Sequence, residues 1–324
     1  MLVPVLSPGM TPDLRSSVKD GRRKFALAAM LFLAALGGLS ALLAQDASAT
    51  EDVCRRSDVL LCEDWDWSSS SSFVAAASDW TAHGWILGET LPTYANNNVY
   101  CNTTGSNGSP CALRLNLPQD GAGTQYPDKP FPDQQTTIYA RFYVKFSPNY
   151  VFNCYFPDGS GQEQKIFYLR SLSGGNMAYR HLVSVFGRDS ACFSGQHVGE
   201  FLIDLNIHDT QLRYNKGDAP IVPDRWYAVE LGVTQNTVGQ ANGRARLWVD
   251  GVLVSDYSGL DMRQGAGPAS AAINDAWISA YYGGPTGTHP DQDVYYDNIV
   301  VATSPIGPIS SSGPPQAPRN LRVR

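Results

Sequence analysis

Residues 224–251 read DRWYAVELGVTQNTVGQANGRARLWVDG, and this stretch decides the fold. From Trp226 to Thr234 the side chains alternate. Tyr227, Val229, Leu231 and Val233 fall on one side; Ala228, Glu230 and Gly232 fall on the other. A period of two marks a strand with one buried face. Asn236 to Gly243 then supplies Asn, Thr, Gly and Gln, which is turn chemistry. Alternation resumes from Arg244, with Ala245, Leu247 and Val249 inward and Arg246 and Trp248 outward. Asp250-Gly251 is a two-residue hairpin signal, and Val252 to Val254 open the next strand. The core is therefore expected to be an antiparallel meander.

The same period runs outward from that hairpin. Residues 138–146, IYARFYVKF, put Ile138, Ala140, Phe142, Val144 and Phe146 on one face and Tyr139, Arg141, Tyr143 and Lys145 on the other. Residues 112–117, 165–170, 181–186 and 199–207 are further strands. In the last, Phe201, Ile203, Leu205 and Ile207 point in, while Glu200, Asp204, Asn206 and His208 point out. No stretch shows a convincing helical period. Many short strands separated by turn signals predict an all-β, two-sheet antiparallel sandwich.

Three strings carry a family resemblance: QNTVGQANGRARLWVDG in the hairpin, WISAYYGG at 277–284 and YYDNIVV at 295–301. Together they resemble jelly-roll polysaccharide lyases of the alginate-lyase and glucuronan-lyase types, within the concanavalin A-like lectin/glucanase superfamily. The likeness spans residues 54–303. It implies that the first strand, within VLLCEDWDW at 59–67, pairs with the last, and that the outer side of one curved sheet is a groove. It also implies a calcium site between the first and last strands, for which Asp64 and Asp297 are placed; hard oxygen ligands suit that ion. The plainer reading is a loop backbone hydrogen-bonded to Asp297. No cofactor is required.

Lyase chemistry is β-elimination on a uronate. A cation or amide neutralises the carboxylate, a base removes the C5 proton, and an acid protonates the leaving oxygen. Lys165, in GSGQEQKIFYLR at 159–170, resembles the groove lysine that binds the carboxylate in relatives, although Gln164 stands where those relatives often have Gly. Tyr281 and Tyr282 fall in the aromatic-aromatic-Gly-Gly pattern. Period two sends only one outward, and Tyr281 is the expected one, with Trp277 and Ser279. The row Tyr139, Arg141, Tyr143 reads either as an ordinary strand face or as a sugar groove, where tyrosines stack on rings and Arg pairs with carboxylates. Arg141 or Lys165 would neutralise. Tyr143, Tyr281 or His208 would supply base and acid, with Gln164 or Asn206 assisting. The expected catalytic set is Lys165, Tyr281 and Tyr143, all on one groove with Tyr139 and Arg141.

Other chemistries fit less well. Glu200 and Asp204 are the nearest approach to a carboxylate pair on one strand, but four residues at ~3.3 Å each separate them by ~13 Å. Glycosidase pairs sit ~5–9.5 Å apart. None of the five histidines has a G-x-S-x-G partner. His181 and His208 are expected to be structural before catalytic, and His289 solvent-exposed.

The N-terminus looks like an export signal. Arg22-Arg23-Lys24 precede an apolar run at 25–44, and Ala47-Ser48-Ala49 is a small-residue cleavage site. RRKFAL is similar to a twin-arginine signal, and the plain basic start of any signal is the other reading. Residues 1–49 are thus a predicted signal peptide, 50–304 the jelly roll and 305–324 a Pro/Ser/Gly-rich linker or tail. All six cysteines, Cys54, Cys62, Cys101, Cys111, Cys154 and Cys192, lie beyond the signal. Nearest-neighbour pairing is expected: Cys54–Cys62, Cys101–Cys111 and Cys154–Cys192.

Removing the signal takes away five basic residues (Arg15, Lys19, Arg22, Arg23, Lys24) and three acidic ones (Asp13, Asp20, Asp46). The chain's 24 basic and 30 acidic residues become 19 and 27, a net charge of −8. An acidic chain without a basic cluster is a poor nucleic-acid binder. The sequence therefore predicts a bacterial protein, secreted or periplasmic, monomeric, with polysaccharide as partner and neither nucleic acid nor, after cleavage, membrane. Two functions remain open: a lyase on a uronate-containing polysaccharide, and a non-catalytic glycan-binding module of lectin-like or laminin-G-like type.

Overall fold

The computed structural model describes residues 49–309 except 69, 71, 73, 88–97, 102–104, 107–108, 122, 125–126, 153–162, 174–175, 188–198, 208–209, 215–219, 264–270 and 284–288. The predicted signal segment, the Cys154–Cys192 pair, His208 and the tail from residue 310 lie outside the described residues. Two short helices, α1 (Ala49–Cys54) and α2 (Ala77–Ala82), accompany sixteen strands among the described residues.

The first sheet has the order β14 (Val252–Leu260), β13 (Gly243–Val249), β12 (Trp226–Thr234), β6 (Thr137–Phe146), β16 (Gln292–Ala302), β3 (Ala112–Leu117), β2 (Asn98–Tyr100), with β1 (Val59–Glu63) also on β16. The second has the order β10 (Thr210–Tyr214), β9 (Gly199–Ile207), β8 (Asn176–Gly187), β7 (Glu163–Ser173), β15 (Ile273–Gly283), β4 (Gly123–Thr124). β5 (Asp128–Gln135) also pairs with β15, and β11 (Pro220–Ile221) with β9. Adjacent strands in both sheets are antiparallel.

The hairpin that opens the argument forms as its residues dictate. Val229 pairs with Val249 and Leu231 with Leu247. The next turn, from β13 into β14, needs φ > 0 at both central positions, and Asp250 (φ 50°) and Gly251 (φ 78°) supply it. Asp250 accepts the Ala228 amide at 3.0 Å through its side chain, which fixes the register from outside the ladder.

The core lies between the sheets. Ile138, Ala140, Phe142, Val144 and Phe146 of β6 are all fully buried, and Phe142 stacks on Phe167 of the opposite sheet at 4.6 Å. Burying each large apolar side chain contributes ~1.5–3 kcal/mol. The first and last strands pair as expected, Leu61 with Val301 and Glu63 with Ile299. Cys54–Cys62 and Cys101–Cys111 are bonded. The acidic-aromatic end of β1 extends the core with tryptophans: Glu63 accepts Trp67 Nε1 and Trp85 Nε1, each at 2.8 Å, while Trp65 stacks on Trp85. His289 is buried rather than solvent-exposed; its ring lies 4.8 Å from Tyr282 and its nitrogens face the carbonyls of Pro290 and Gly121.

The outer face of the first sheet is covered over β6 and β12. Glu230 accepts the amides of Ile306 (3.0 Å) and Gly307 (2.7 Å), Arg141 donates to Gly307 O (3.2 Å), and the Ile309 amide donates to Tyr143 Oη (2.8 Å). The segment after β16 is thus strapped across β12 and β6. Arg141 is only 2% exposed beneath it.

Candidate active site

β7 carries the irregularity that builds the site. Gln164, Ile166, Phe167 and Leu169 are all buried, with Ile166, Phe167 and Leu169 in the main core. Two successive residues, Ile166 and Phe167, therefore face inward. The register shows why: on β8, Ser184 pairs with Lys165 and the adjacent Val183 pairs with Phe167, so Ile166 is an extra residue in β7. Such a bulge reverses the alternation beyond it. Strict alternation would send Lys165 into the core with Phe167 and Leu169. The bulge turns it to the outer face instead, together with Tyr168 and Arg170.

On that face Lys165 stands in register with Tyr281 of β15 on one side and Ser184 of β8 on the other. Side chains directly opposite on adjacent strands have Cβ atoms ~5 Å apart. β15 itself alternates regularly. Ile278, Ala280 and Tyr282 are core, and Tyr281 is half-buried on the outer side, as expected from period two. Lys165 is 8% exposed.

Farther along, Tyr168, Leu182 and Trp277 form a second apolar cluster, separate from the main core, with the Tyr168 and Trp277 rings 4.6 Å apart. Arg170 lies over the Trp277 ring at 4.0 Å and donates to Asp275 at 2.6 Å and to Asp128 at 2.9 Å. Burial pushes the Asp275 carboxyl up to about 6, against the opposing pull of the Arg170 guanidinium. Burial likewise raises Asp128. Arg170 is thus committed to two carboxylates and an aromatic face, and it serves as a rigid end to the surface. Sequence reasoning missed this group: Lys165 and Arg170 are five residues apart, an odd number, and strict period two sets them on opposite faces.

Several expected site residues lie elsewhere. Tyr139, Arg141 and Tyr143 do point away from the core, but on the outer face of the first sheet, whereas Lys165 and Tyr281 are on the second. The expectation of one shared groove is therefore corrected: Tyr143 cannot act beside Lys165, and the row is closed by the strap. Tyr139 instead accepts a hydrogen bond from Arg246 at 2.5 Å, and Gly232 makes room for its ring, since a Cβ there would come within 2.8 Å of it. Gln164 is also corrected. It is 1% exposed and in register with Tyr282 and Val185, facing the interior near Tyr150. Asn206 is on β9 in register with Arg180 of β8.

Asp64 and Asp297, the expected calcium residues, sit in different surroundings. Asp64 is exposed and accepts the amide of Asp66. Asp297 is buried and both its oxygens are in use, accepting the amides of Ser106 and Asn298, each at 2.7 Å. Burial raises this carboxyl well above the usual range, opposed by those two amides. No group of three His, Cys, Asp or Glu suited to a metal occurs among the described residues.

Residues 203–299 match the family model for polysaccharide lyase 14. That segment runs from within β9 to within β16 and contains Tyr281. The fold is that of jelly-roll polysaccharide lyases. The alginate lyase Aly36B, in complex with alginate trisaccharide, superposes with a TM-score of 0.52 at 16% identity over 75% of this chain and 97% of that one. The marine PL-14 alginate lyase from Aplysia kurodai gives 0.50 at 13% identity over 76% and 99%. A search of curated proteins finds no match. At such identities the likeness establishes the lyase fold, and the chemistry must be argued from Lys165 and its neighbours.

Proposed function

We propose that the protein is an exported lyase that cleaves a uronate-containing polysaccharide by β-elimination on the outer face of its second sheet. The register pairing of Lys165 with Tyr281 carries this reading. It sets a cation and a phenol side by side, which are the two kinds of group the reaction needs. The Lys165 ammonium neutralises the uronate carboxylate, so that charge building up as the C5–H bond breaks is stabilised. Tyr281 takes the C5 proton on its phenolic oxygen as it gives its own O–H proton to the departing C4 oxygen, and so serves as both base and acid. The C4–O bond breaks, a C4=C5 double bond forms, and the departing oxygen ends protonated. The Tyr168–Trp277 cluster and the Arg170 end define how far the surface extends along β7 and β15. Export is supported by the N-terminal signal pattern and by the cysteines that follow it.

The matched family model and the alginate lyases of like fold make alginate the first substrate to try. Incubation with alginate, glucuronan and glycosaminoglycans, followed by ultraviolet absorbance of the unsaturated product, tests the proposal. Absorbance growth that disappears in Lys165→Ala supports it. Glycan binding with no elimination on any uronan would replace it with the lectin-like reading.

A further inference from the structure

The bulge that turns Lys165 outward is held from across the core. Tyr296 is a β16 residue of the first sheet, fully buried, and its ring belongs to the main core. Its hydroxyl reaches the second sheet, 2.6 Å from Ser279 O and 3.1 Å from Ile166 O. Ile166 is the extra residue of β7. Ser279 falls in the matching break of β15, where pairing passes from Ile278–Phe167 to Tyr281–Lys165. One hydroxyl therefore spans the two carbonyls at the place where both strands leave regular register.

We infer that Tyr296 is a positioning residue: its hydroxyl pins the β7/β15 irregularity and so keeps Lys165 and Tyr281 together on the outer face. The physical reason is register. A strand can lose a bulge by slipping one residue, and such a slip sends every side chain beyond it to the other face. For Lys165 that face is the core. A donor anchored in the opposite sheet opposes the slip, because the slipped carbonyls would no longer meet it, and a buried donor without an acceptor is costly. Tyr296 touches no reacting atom. Its role in turnover rests on the lyase reading above; its role in holding the bulge does not.

The test compares Tyr296→Phe with Tyr227→Phe in the full chain. Tyr227 is the control because it is also a buried core tyrosine whose hydroxyl bonds backbone, at Val222, but not at the bulge. Peptide-resolved amide hydrogen exchange is expected to show at least tenfold faster exchange in residues 163–169 and 277–282 of Tyr296→Phe, with the other strands unchanged. Turnover on the best uronan should fall at least tenfold while KM stays within threefold. Unchanged exchange in those two segments, or a loss spread evenly over all strands as expected for Tyr227→Phe, overturns the inference. So does a kcat equal to wild type. If the wild-type protein cleaves no uronan, the lyase reading fails, and the exchange pattern alone decides whether Tyr296 holds the bulge.

Discussion

Arg141 and Glu230 face each other across β6 and β12, beneath a strap formed by residues 305–309. Each also bonds the strap's backbone, Arg141 through Gly307 O and Glu230 through two amides. Burial lowers the Arg141 pKa, with Tyr143 and Glu230 pulling the other way, and the guanidinium stays charged. Removing Arg141 takes the facing positive charge away from the buried Glu230 carboxylate. Arg141→Ala is therefore expected to lower stability by ~3 kcal/mol and to leave uronan cleavage intact. Urea denaturation beside a turnover assay checks this. Lost activity at full stability would return Arg141 to the substrate surface.

Lys165→Ala and Tyr281→Phe should behave in the opposite way. Losing a charge-stabilising or proton-transferring group costs ~100-fold in turnover. The melting temperature of Tyr281→Phe should stay close to wild type, because Tyr281 is only half-buried. Turnover within threefold of wild type in both variants would remove the pair from the mechanism.

His181 should make the fold acid-sensitive. It is in register with the core residues Leu169 and Leu205, and burial lowers its pKa from 6.5 to about 4. Above pH 6.5 the ring is neutral in both folded and unfolded chains, so it has no effect there. Below that, the unfolded chain takes up a proton that the folded one refuses, and stability falls until the pH passes the folded value. The loss reaches ~3 kcal/mol. Asp275 and Asp297 work in the opposite sense, since burial raises both and favours their protonated forms in the fold. The comparison must therefore be with His181→Leu, whose denaturation midpoint should fall less between pH 7 and pH 4.5. Equal falls would show that the ring is already protonated in the folded protein.

The two bonded cysteine pairs close loops with sequence separations of 8 and 10. Peptide mapping under non-reducing conditions should recover Cys54–Cys62 and Cys101–Cys111 links. Replacing both Cys101 and Cys111 with Ser should cost ~2–4 kcal/mol. A peptide map showing either cysteine pair exchanged with another partner would overturn this arrangement.

Much of the fold was legible residue by residue. Alternation placed β6, β9, β12 and β13 and divided the faces of β6, β12, β13 and the first part of β9, with Phe201, Ile203 and Leu205 inward, because period two is a local property of an extended chain with one side in a core. Asp250-Gly251 announced its own turn through backbone sterics. Tyr281 could be placed outward on parity alone, because β15 keeps its period. The pairing of the first and last strands came from resemblance, and the structure bears it out.

What the sequence by itself determined, then, was which stretches are strands and, in regular ones, which residues face in. Only the tertiary structure decided which sheet each strand joins. Alternation tells in from out but is the same for either sheet, so the outward row of Arg141 gave no sign that it lies on the opposite outer face from Lys165. Sheet membership depends on pairing between strands far apart in sequence, which no single strand encodes. The same holds for the bulge at Ile166. No Gly or Pro marks it, and the hydroxyl that meets the carbonyls where the two strands lose register comes from Tyr296, 130 residues away.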